Sequence, residues 1–278
     1  MTMNHEKLRM VTLVNGQSVE LDAIALLAPD AFQTVIADAV DVGHRVASLF
    51  AASTRQLGVT QLFAILVNTQ LSRLHIVRTE IHDGQYPSLT NHCPQVHLFE
   101  REIAEQFGIK PVGHPWFKPV RYHRSWTGRD AWGRSASEEI LPGVCDFYQV
   151  EGEEVHEVAV GPVHAGIIEP GHFRFQCHGE LVFHLEIALG FQHRGVEEAL
   201  MGGPDARSLH YAETLAGDST IAHTTAYCRV IEALSKCRKT ARAQTLRGIA
   251  LELERMANHV GDLGALAGDI GFLPTMSY

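Results

Sequence analysis

Apolar positions in the first 110 residues follow the two-residue period of strands and, elsewhere, the three- to four-residue period of helices. Three apolar stretches rich in β-branched residues predict strands at 45–53, 62–69 and 71–81. The segment Asn68-Thr69-Gln70 predicts a hairpin turn between the second and third of them. Ahead of these strands, Pro29-Asp30 is a start signal for a helix over 31–40.

A second helix is predicted from Pro94 to about Phe107. Its apolar residues recur at three- and four-residue spacing: Val96, Phe99, Ile103 and Phe107. Gly108 follows at the position where many helices end in a left-handed glycine. Strands and helices in this order predict an N-terminal α/β domain at 1–110.

Residues 111–154 contain many Pro, Gly, Trp and Arg residues and little periodicity, which predicts an extended connector. The connector holds the three tryptophans of the chain: Trp116, Trp126 and Trp132. It also holds a basic run: Lys118, Arg121, Arg124, Arg129 and Arg134. Two interpretations stay open. The tryptophans anchor the connector on its own domain, or the connector binds another subunit, because Trp and Arg dominate interface hot spots.

Strand patterns return after the connector and then give way to helices. A strand is predicted at 155–163 and a hairpin at 172–191 with its turn at His178-Gly179. On the return strand, alternation places Val182, His184 and Glu186 on one face. Helices are predicted at about 205–215, 218–236 and 241–266. The fold class is therefore α+β, with a second unit at 155–278 made of a β-hairpin and helices.

Two of these helices have marked apolar faces. The helix at 218–236 is predicted to bury Ile221, Val230, Ile231 and Leu234. The helix at 241–266 carries a longer stripe: Leu246, Ile249, Leu253, Met256, Val260 and Leu263. Such stripes normally face a core or another helix.

Composition and charge narrow the function classes. The 278 residues are 45% hydrophobic and 20% charged, which is typical of a soluble globular protein, and the net charge of -9 argues against a nucleic-acid partner. The N-terminus lacks the apolar core of a signal peptide, and no run of 18 apolar residues predicts a membrane span. The five cysteines form no C-x-x-C pair, which indicates reduced thiols in a cytoplasm: Cys93, Cys145, Cys177, Cys228 and Cys237.

Three short motifs lie close together along the second helix and just after it: Glu100-Arg101-Glu102, Phe107-Gly108-Ile109 and Gly113-His114-Pro115. Their combination resembles the signature of the 30-kDa-type subunit of respiratory complex I. It is also similar to that of the related membrane-bound nickel–iron hydrogenases, which include formate hydrogenlyase. The family's Asp-x-Phe-Gly is Glu105-Gln106-Phe107-Gly108 here. The charged cluster itself predicts a salt-bridged helix N-terminus, with its carboxylates favoured by the helix dipole, and the resemblance implies a largely architectural role for it.

Four further motifs resemble the 49-kDa-type subunit of complex I, which is homologous to the hydrogenase large subunit. They are Gly161-Pro162-Val163-His164, Gln192-His193-Arg194-Gly195-Val196-Glu197, Glu252-Leu253-Glu254-Arg255 with His259, and Asp269-Ile270-Gly271. The resemblance covers the chain from about residue 40 and implies that both subunit types are fused in one polypeptide.

The sequence departs from the hydrogenases at the metal site. Hydrogenase large subunits carry a Cys-Gly-Ile-Cys motif whose thiolates hold the nickel–iron centre. The matching stretch here is Ala216-Gly217-Asp218-Ser219, which has no cysteine. Cys228 and Cys237 lie outside the motif at the wrong spacing. No nickel–iron centre and no other metal site are therefore expected.

The quinone site of complex I is retained only in part. Its Tyr and His positions are Gly217 and Pro170 here. The residues predicted to line the cavity or carry protons are Asp218, His223, Asp269 and Glu169. The residues predicted to bind a cofactor are His164, His172 and Tyr211. The alternative interpretation is that these polar side chains satisfy a buried loop.

The resemblance implies a peripheral subunit of a complex I-like or hydrogenase-4-like redox complex, on the cytoplasmic side of the inner membrane. Such a subunit supports electron transfer towards a quinone-type or proton-coupled site, as in NADH–quinone oxidoreductases, and is an oxidoreductase only within the complex. A quinone is the one candidate cofactor. Iron–sulfur clusters are expected in partner subunits, because this chain has no cysteine cluster.

The expected partners are an iron–sulfur subunit and membrane subunits, with no nucleic acid. Two alternatives stay open: a catalytically silent assembly scaffold, and a nickel–iron hydrogenase large subunit, which the missing cysteines disfavour. The family's helical bundle continues beyond the position of Tyr278. The resemblance therefore also predicts a truncated product or partial sequence that exposes apolar surface.

Overall fold

The computed structural model describes residues 10–54, 58–125, 127–135, 137–141, 146–164 and 169–277. The chain divides into two compact units. The first unit comprises Met1–Val160 and Gly171–Phe191, and the second comprises Gly161–Pro170 and Gln192–Tyr278. The hairpin thus groups with the first unit, and the domain limits 1–110, 111–154 and 155–278 stay predictions.

Five strands of the first unit form one mixed sheet: β1 (Val11–Leu13), β2 (Leu26–Leu27), β3 (Arg45–Ser53), β4 (Thr60–Asn68) and β5 (Arg73–Ile81). The antiparallel order is β1-β5-β4-β3, and β2 pairs with β5 in parallel. The bounds of β3 agree with the predicted strand. Asn68 pairs with Arg73, and the Leu71 N–H donates to the Asn68 Oδ1 at 2.9 Å, which confirms the predicted turn.

Both predicted helices of the first unit are present: α1 (Pro29–Asp41) and α2 (His97–Phe107). Their apolar faces pack with the sheet into one core that includes Phe32, Ile36, Leu49, Leu62, Leu66, Val77 and Ile103. Gly108 ends α2 in the left-handed conformation, with a φ of 67°, as predicted. Two short parallel strands flank α2 in the chain: β6 (Gln85–Pro87) and β7 (Lys110–Val112).

The predicted hairpin belongs to a three-stranded antiparallel sheet: β8 (Val155–Val160), β9 (His172–His178) and β10 (Leu181–Ala188). Leu181 pairs with His178, so the chain turns at Gly179 as predicted. A register shift between Val182 and His184 is a β-bulge. Because of this bulge, Val182 lies on the same face as Leu185, whereas simple alternation had placed it with His184 and Glu186.

This second sheet buries its polar face and exposes its apolar face. Glu186 is 3% exposed, whereas Leu185 and Ile187 are 39% and 41% exposed. The connector covers the polar face, because the Lys118 Nζ lies 2.5 Å from the Glu186 carboxylate and the Tyr148 N–H donates to it at 2.8 Å. A buried carboxylate needs such partners. The connector charges therefore decide which face of the sheet is buried.

The connector is held on α2 by side chains that lie on the helix. The Glu105 carboxylate, 0% exposed, accepts the N–H groups of Val120, Arg121 and Tyr122 at 2.9 to 3.1 Å. The Arg101 guanidinium donates to the carbonyls of Lys118 and Pro119 at 2.7 and 2.9 Å. Residues 118–122 are thus part of the first unit rather than a free linker.

The cluster Glu100-Arg101-Glu102 contacts segments outside α2, which the prediction of a salt-bridged helix N-terminus did not include. The Glu100 carboxylate accepts hydrogen bonds from the Leu89 N–H at 2.8 Å and the Thr90 hydroxyl at 2.6 Å. Glu102 pairs with Arg121 at 3.0 Å. Glu100 also influences Tyr86. The burial of the Tyr86 side chain and, to a smaller extent, the Glu100 carboxylate raise the pKa of Tyr86 well above its ordinary value.

The aromatic residues of the connector support the interpretation that it packs on its own unit. Trp132 stacks on Phe117 with ring centroids 4.6 Å apart, and Trp116 lies 6.2 Å from the His184 ring. Trp126 lies outside the described residues. In the basic run, Lys118, Arg121 and Arg134 form ion pairs within the unit, while Arg124 and Arg129 are exposed.

The second unit is helical: α3 (Val196–Leu200), α4 (Ser208–Glu213), α5 (Thr220–Leu234), α6 (Ala241–Asp269) and α7 (Leu273–Ser277). The prediction that α5 buries its apolar face is wrong, because Val230 and Leu234 are 56% and 65% exposed. The predicted stripe of α6 is 52% to 66% exposed at every position: Leu246, Ile249, Leu253, Met256, Val260 and Leu263. In the part of the chain that the structure describes, no helix has the length and apolarity needed to cross a membrane.

Candidate functional site

The candidate site lies at the N-terminus of α5, where the loop Ala216–Ser219 leads into the helix. Helix α5 runs antiparallel to the first half of α6. Near its C-terminus, the Glu232 carboxylate accepts two hydrogen bonds from Arg247 at 2.6 and 3.0 Å and pairs with Lys239 at 2.9 Å. These ion pairs fix one end of the helix pair.

Glu254 of α6 fixes the other end. Its carboxylate accepts the N–H groups of Ile221 and Ala222, the latter at 3.0 Å. The first N–H groups of a helix have no partner within the helix, and the dipole there favours negative charge. One turn further along α6, the Asn258 Nδ2 donates to the Asp218 carbonyl at 2.6 Å. The two side chains of α6 therefore set the position of the loop.

The predicted cavity residues differ in their surroundings. Asp218 is exposed and accepts a hydrogen bond from the Ser219 hydroxyl at 3.2 Å. His223 is half-buried on the first turn of α5, and its backbone N–H donates to the Ser219 carbonyl at 3.0 Å. Asp218 and His223 thus share one helix end.

The two remaining acidic residues are not fixed to this end by any contact in the described residues. Asp269 is exposed at the last residue of α6. From the helix rise, it lies about 16 Å beyond Asn258 along the α6 axis. Glu169 is exposed in the part of the second unit that shortly precedes β9 in the chain. Their convergence with Asp218 stays a prediction.

The predicted cofactor-binding residues are spread over both units. His164 is half-buried in the second unit, and Tyr211 is half-buried on α4. His172 begins β9 in the first unit, where its ring lies 5.5 Å from Phe147 and its Nε2 accepts a hydrogen bond from Arg174 at 3.4 Å. The structure thus gives His172 a partner within its own sheet, and a cofactor role for the three residues stays a prediction.

The loop does not fit a nickel–iron centre. Residues 216–219 offer one carboxylate and one hydroxyl, whereas that centre needs thiolates. Cys228 lies in the middle of α5 and Cys237 follows its C-terminus, both away from the loop. Among the residues whose positions are described, no group of three His, Cys, Asp or Glu side chains is arranged to hold a metal ion.

The sequence interpretation missed the residues that position the loop, Glu254 and Asn258. A signal was present, because they are four residues apart and so lie on one face of the predicted helix. The sequence does not show which segment of the chain contacts this face of the helix. Glu254 contacts a residue 33 positions away in the chain.

Glu232 provides a test of the α5–α6 pairing by pH. Hydrogen bonds from Arg247 and then from Lys239 lower the pKa of Glu232 from 4.5 to about 2. Because the folded-state pKa is the lower one, the stabilisation is fully present above about pH 4.5 and is lost as the pH falls towards 2. We expect a carboxyl-carbon NMR titration to show a Glu232 midpoint near 2. The substitution Arg247→Met should raise it, and a midpoint near 4.5 in the unaltered chain would contradict the pairing.

Comparison with known proteins identifies two related groups. Residues 26–131 match the family described as respiratory-chain NADH dehydrogenase, 30 Kd subunit. Formate hydrogenlyase subunit 5 of Escherichia coli (strain K12) is 29% identical over 208 residues, covering 70% of this chain and 36% of that protein. Hydrogenase-4 component G of the same organism is 30% identical over 203 residues, covering 68% and 36%.

The second related group is that of the NADH-quinone oxidoreductases. The C/D subunit of the NADH-quinone oxidoreductase of Bacteroides thetaiotaomicron is 25% identical over 252 residues, covering 81% of this chain and 46% of that protein. The chain spans less than half the length of these curated relatives. These similarities confirm the resemblance inferred from the motifs.

Proposed function

We propose that this chain, whose residues 26–131 belong to the 30 Kd subunit family of respiratory-chain NADH dehydrogenases, is a subunit of a membrane-associated redox complex of the complex I or hydrogenase-4 type. The observation that carries the proposal is the continuous similarity to subunits of both kinds, which extends well beyond the 30 Kd segment. In this function the chain supports electron transfer towards a quinone-type or proton-coupled site. It is active only within the assembled complex.

The exposed apolar faces support a role within a larger assembly. The stripe of α6 repeats at alternating spacings of three and four residues from Leu246 to Leu263, with each side chain more than half exposed. An apolar surface of this length normally packs against another element. The apolar face of the second sheet, with Leu185 and Ile187, is a further surface of this kind.

The chemical part of the proposal concerns the end of α5. Asp218 and His223 lie there on a loop that α6 positions, and we assign them to proton transfer or to the polar lining of the site, together with Asp269 and Glu169. His164, His172 and Tyr211 are the proposed contacts of a quinone. Iron–sulfur clusters would be held by a partner subunit, and this chain would act by contact with it. Peripheral attachment on the cytoplasmic side of the inner membrane, through membrane subunits, is part of the same proposal.

The exposed arginines of the connector are the proposed contacts for the iron–sulfur subunit. Arg124 and Arg129 are exposed, whereas Arg121 pairs with Glu102 at 3.0 Å and contributes to the fold. The proposed docking surface therefore includes Arg124 and Arg129 but not Arg121. Arginine at such a surface forms bidentate pairs with carboxylates of a partner.

Substitution of the acidic residues in the assembled complex tests the function. We expect Asp218→Asn and Asp269→Asn each to reduce electron transfer by at least about 10-fold, since a positioned proton-transfer group contributes on that scale or more. Asp262→Asn, at an exposed aspartate of the same helix α6, is the matched control and should leave the rate unchanged. Native electrophoresis of the purified complex verifies that assembly is unaffected.

The same experiment separates the alternatives. Unchanged electron transfer in both variants, with the complex intact, would favour the assembly scaffold. Nickel in stoichiometric amount in the purified complex would instead favour the hydrogenase alternative, and it would require ligands other than Ala216 and Ser219.

A further inference from the structure

The first unit contains a cavity of about 290 Å³, and none of the residues assigned above to proton transfer or to quinone contact lines it. Three segments enclose it: the start of α2, the connector, and the end of β10 with the residues that follow. Most of the lining is apolar, and it includes Leu98, Trp116, Leu185, Ile187 and Leu189. The volume lies just below the range for small-molecule sites, which is about 300 to 1,000 Å³, and so suits a small ligand.

The walls of this cavity are held in place by buried contacts. Arg101 joins α2 to the connector through the carbonyls of Lys118 and Pro119. Lys118 then joins the connector to β10 through Glu186. Gly190 packs so closely on the connector that a Cβ at this position would lie 2.1 Å from the Val120 carbonyl oxygen. The cavity is therefore preformed, and a ligand would not have to order its walls.

The polar groups of the lining are few. Among the described residues no carboxylate lines the cavity, and the Arg101 guanidinium is engaged by the two connector carbonyls. The remaining titratable group of this lining is the half-buried His97. Its backbone N–H donates to the Pro94 carbonyl and its carbonyl bonds the His114 Nε2 at 3.1 Å, whereas its imidazole makes no hydrogen bond within the described part of the chain.

His97 is suited to an uncharged ligand. Burial, with the nearby Arg101 guanidinium adding to it, lowers the pKa of His97 below its ordinary 6.5, so the ring is neutral at pH 7. A neutral imidazole has one N–H donor and one acceptor nitrogen. It can therefore bond a hydroxyl or carbonyl oxygen without the desolvation of a charge.

We propose that this cavity binds a small uncharged aromatic molecule with one or two rings and one hydroxyl or carbonyl oxygen. The ring packs against Trp116, Leu185 and Ile187, and the oxygen bonds the His97 imidazole. The aromatic indole and the branched aliphatic side chains favour a flat apolar body. The proposal does not rest on the proposed function, because none of the residues assigned to electron or proton transfer lines this cavity.

The test uses 1-naphthol as the probe and the full chain as the protein. We expect isothermal titration to show saturable binding with one site per chain, and NMR to show contacts between the probe and the methyl groups of Leu185 and Ile187. His97→Phe should weaken naphthol binding about 5- to 10-fold, the effect of one lost hydrogen bond, and should leave the binding of naphthalene unchanged. Ile187→Trp should abolish the binding of both compounds by filling the cavity.

Further variants keep the test decisive. If Ile187→Trp fails to fold, Leu98→Trp obstructs the same cavity from a helix position that is 37% exposed. Leu253→Lys, on the exposed stripe of α6, should not alter binding, which separates the cavity from adsorption to that stripe. Absence of saturable binding to the unaltered chain would overturn the proposal. Binding that survives the tryptophan substitutions, or that Leu253→Lys removes, would also overturn it.

Discussion

Replacing Glu105 by alanine is expected to lower the free energy of unfolding of the first unit by about 3 kcal/mol, because it leaves three backbone N–H groups of the connector without their acceptor. The carboxylate is fully buried, and it accepts the N–H groups of Val120, Arg121 and Tyr122. Each buried donor left without a partner costs on the order of 1 kcal/mol or more. Chemical denaturation followed by tryptophan fluorescence measures the loss, since Trp116 and Trp132 lie in the connector.

Glu102→Ala is the matched control for Glu105. Glu102 lies on the same helix, but it is partly exposed and forms one ion pair with Arg121 at 3.0 Å. The loss of a partly exposed pair is expected to cost at most about 1 kcal/mol. If both substitutions cost the same, the connector does not depend on the Glu105 carboxylate for its position.

Gly190→Ala is expected to destabilise the first unit by a similar amount, about 3 kcal/mol, because the new methyl group meets the backbone of the connector. The Cβ would lie 2.1 Å from the Val120 carbonyl oxygen and 3.2 Å from the Arg121 Cα. The φ of Gly190 is +96°, a backbone conformation that L side chains rarely adopt. Both effects act together, and the clash can be relieved only by moving β10 away from the connector. Thermal and chemical denaturation measure the change.

Gly179→Ala separates the two effects. Gly179 lies in the hairpin turn with a φ of +58°, and a Cβ there would meet nothing within 4 Å. Its substitution should cost only the backbone strain, about 1 kcal/mol. Equal losses at positions 179 and 190 would mean that the end of β10 is not in close contact with the connector.

The secondary structure could be predicted because its signals are local. The bounds of β3, the turn after Asn68 and the end of α2 at Gly108 agree with the sequence interpretation. Each depends on the periodicity or conformational preference of a few neighbouring residues. The bulge at Val182 escaped prediction because strict alternation gives no sign of an extra residue in one strand.

The candidate site could be predicted only in part. The family resemblance located the loop Ala216–Ser219, and the sequence shows that the loop contains no cysteine. It did not reveal that Glu254 and Asn258 hold this loop, because both contacts join segments more than 30 residues apart. The burial of the apolar face of α5 was inferred from periodicity, which shows that a face exists but not what covers it.

The sequence by itself determined the long strands and helices, the family resemblance and the absence of cysteine from residues 216–219. These properties depend on residue identity and on short-range spacing. Only the tertiary structure decided which face of the β8–β10 sheet is buried, where the connector lies and which side chains enclose the cavity at His97. Those outcomes depend on pairing between distant segments, such as Lys118 with Glu186, 68 positions apart. The buried Glu186 carboxylate needs a partner, and the fold supplies Lys118. This requirement has a larger effect on which face of β10 is buried than the apolar pattern of the strand has.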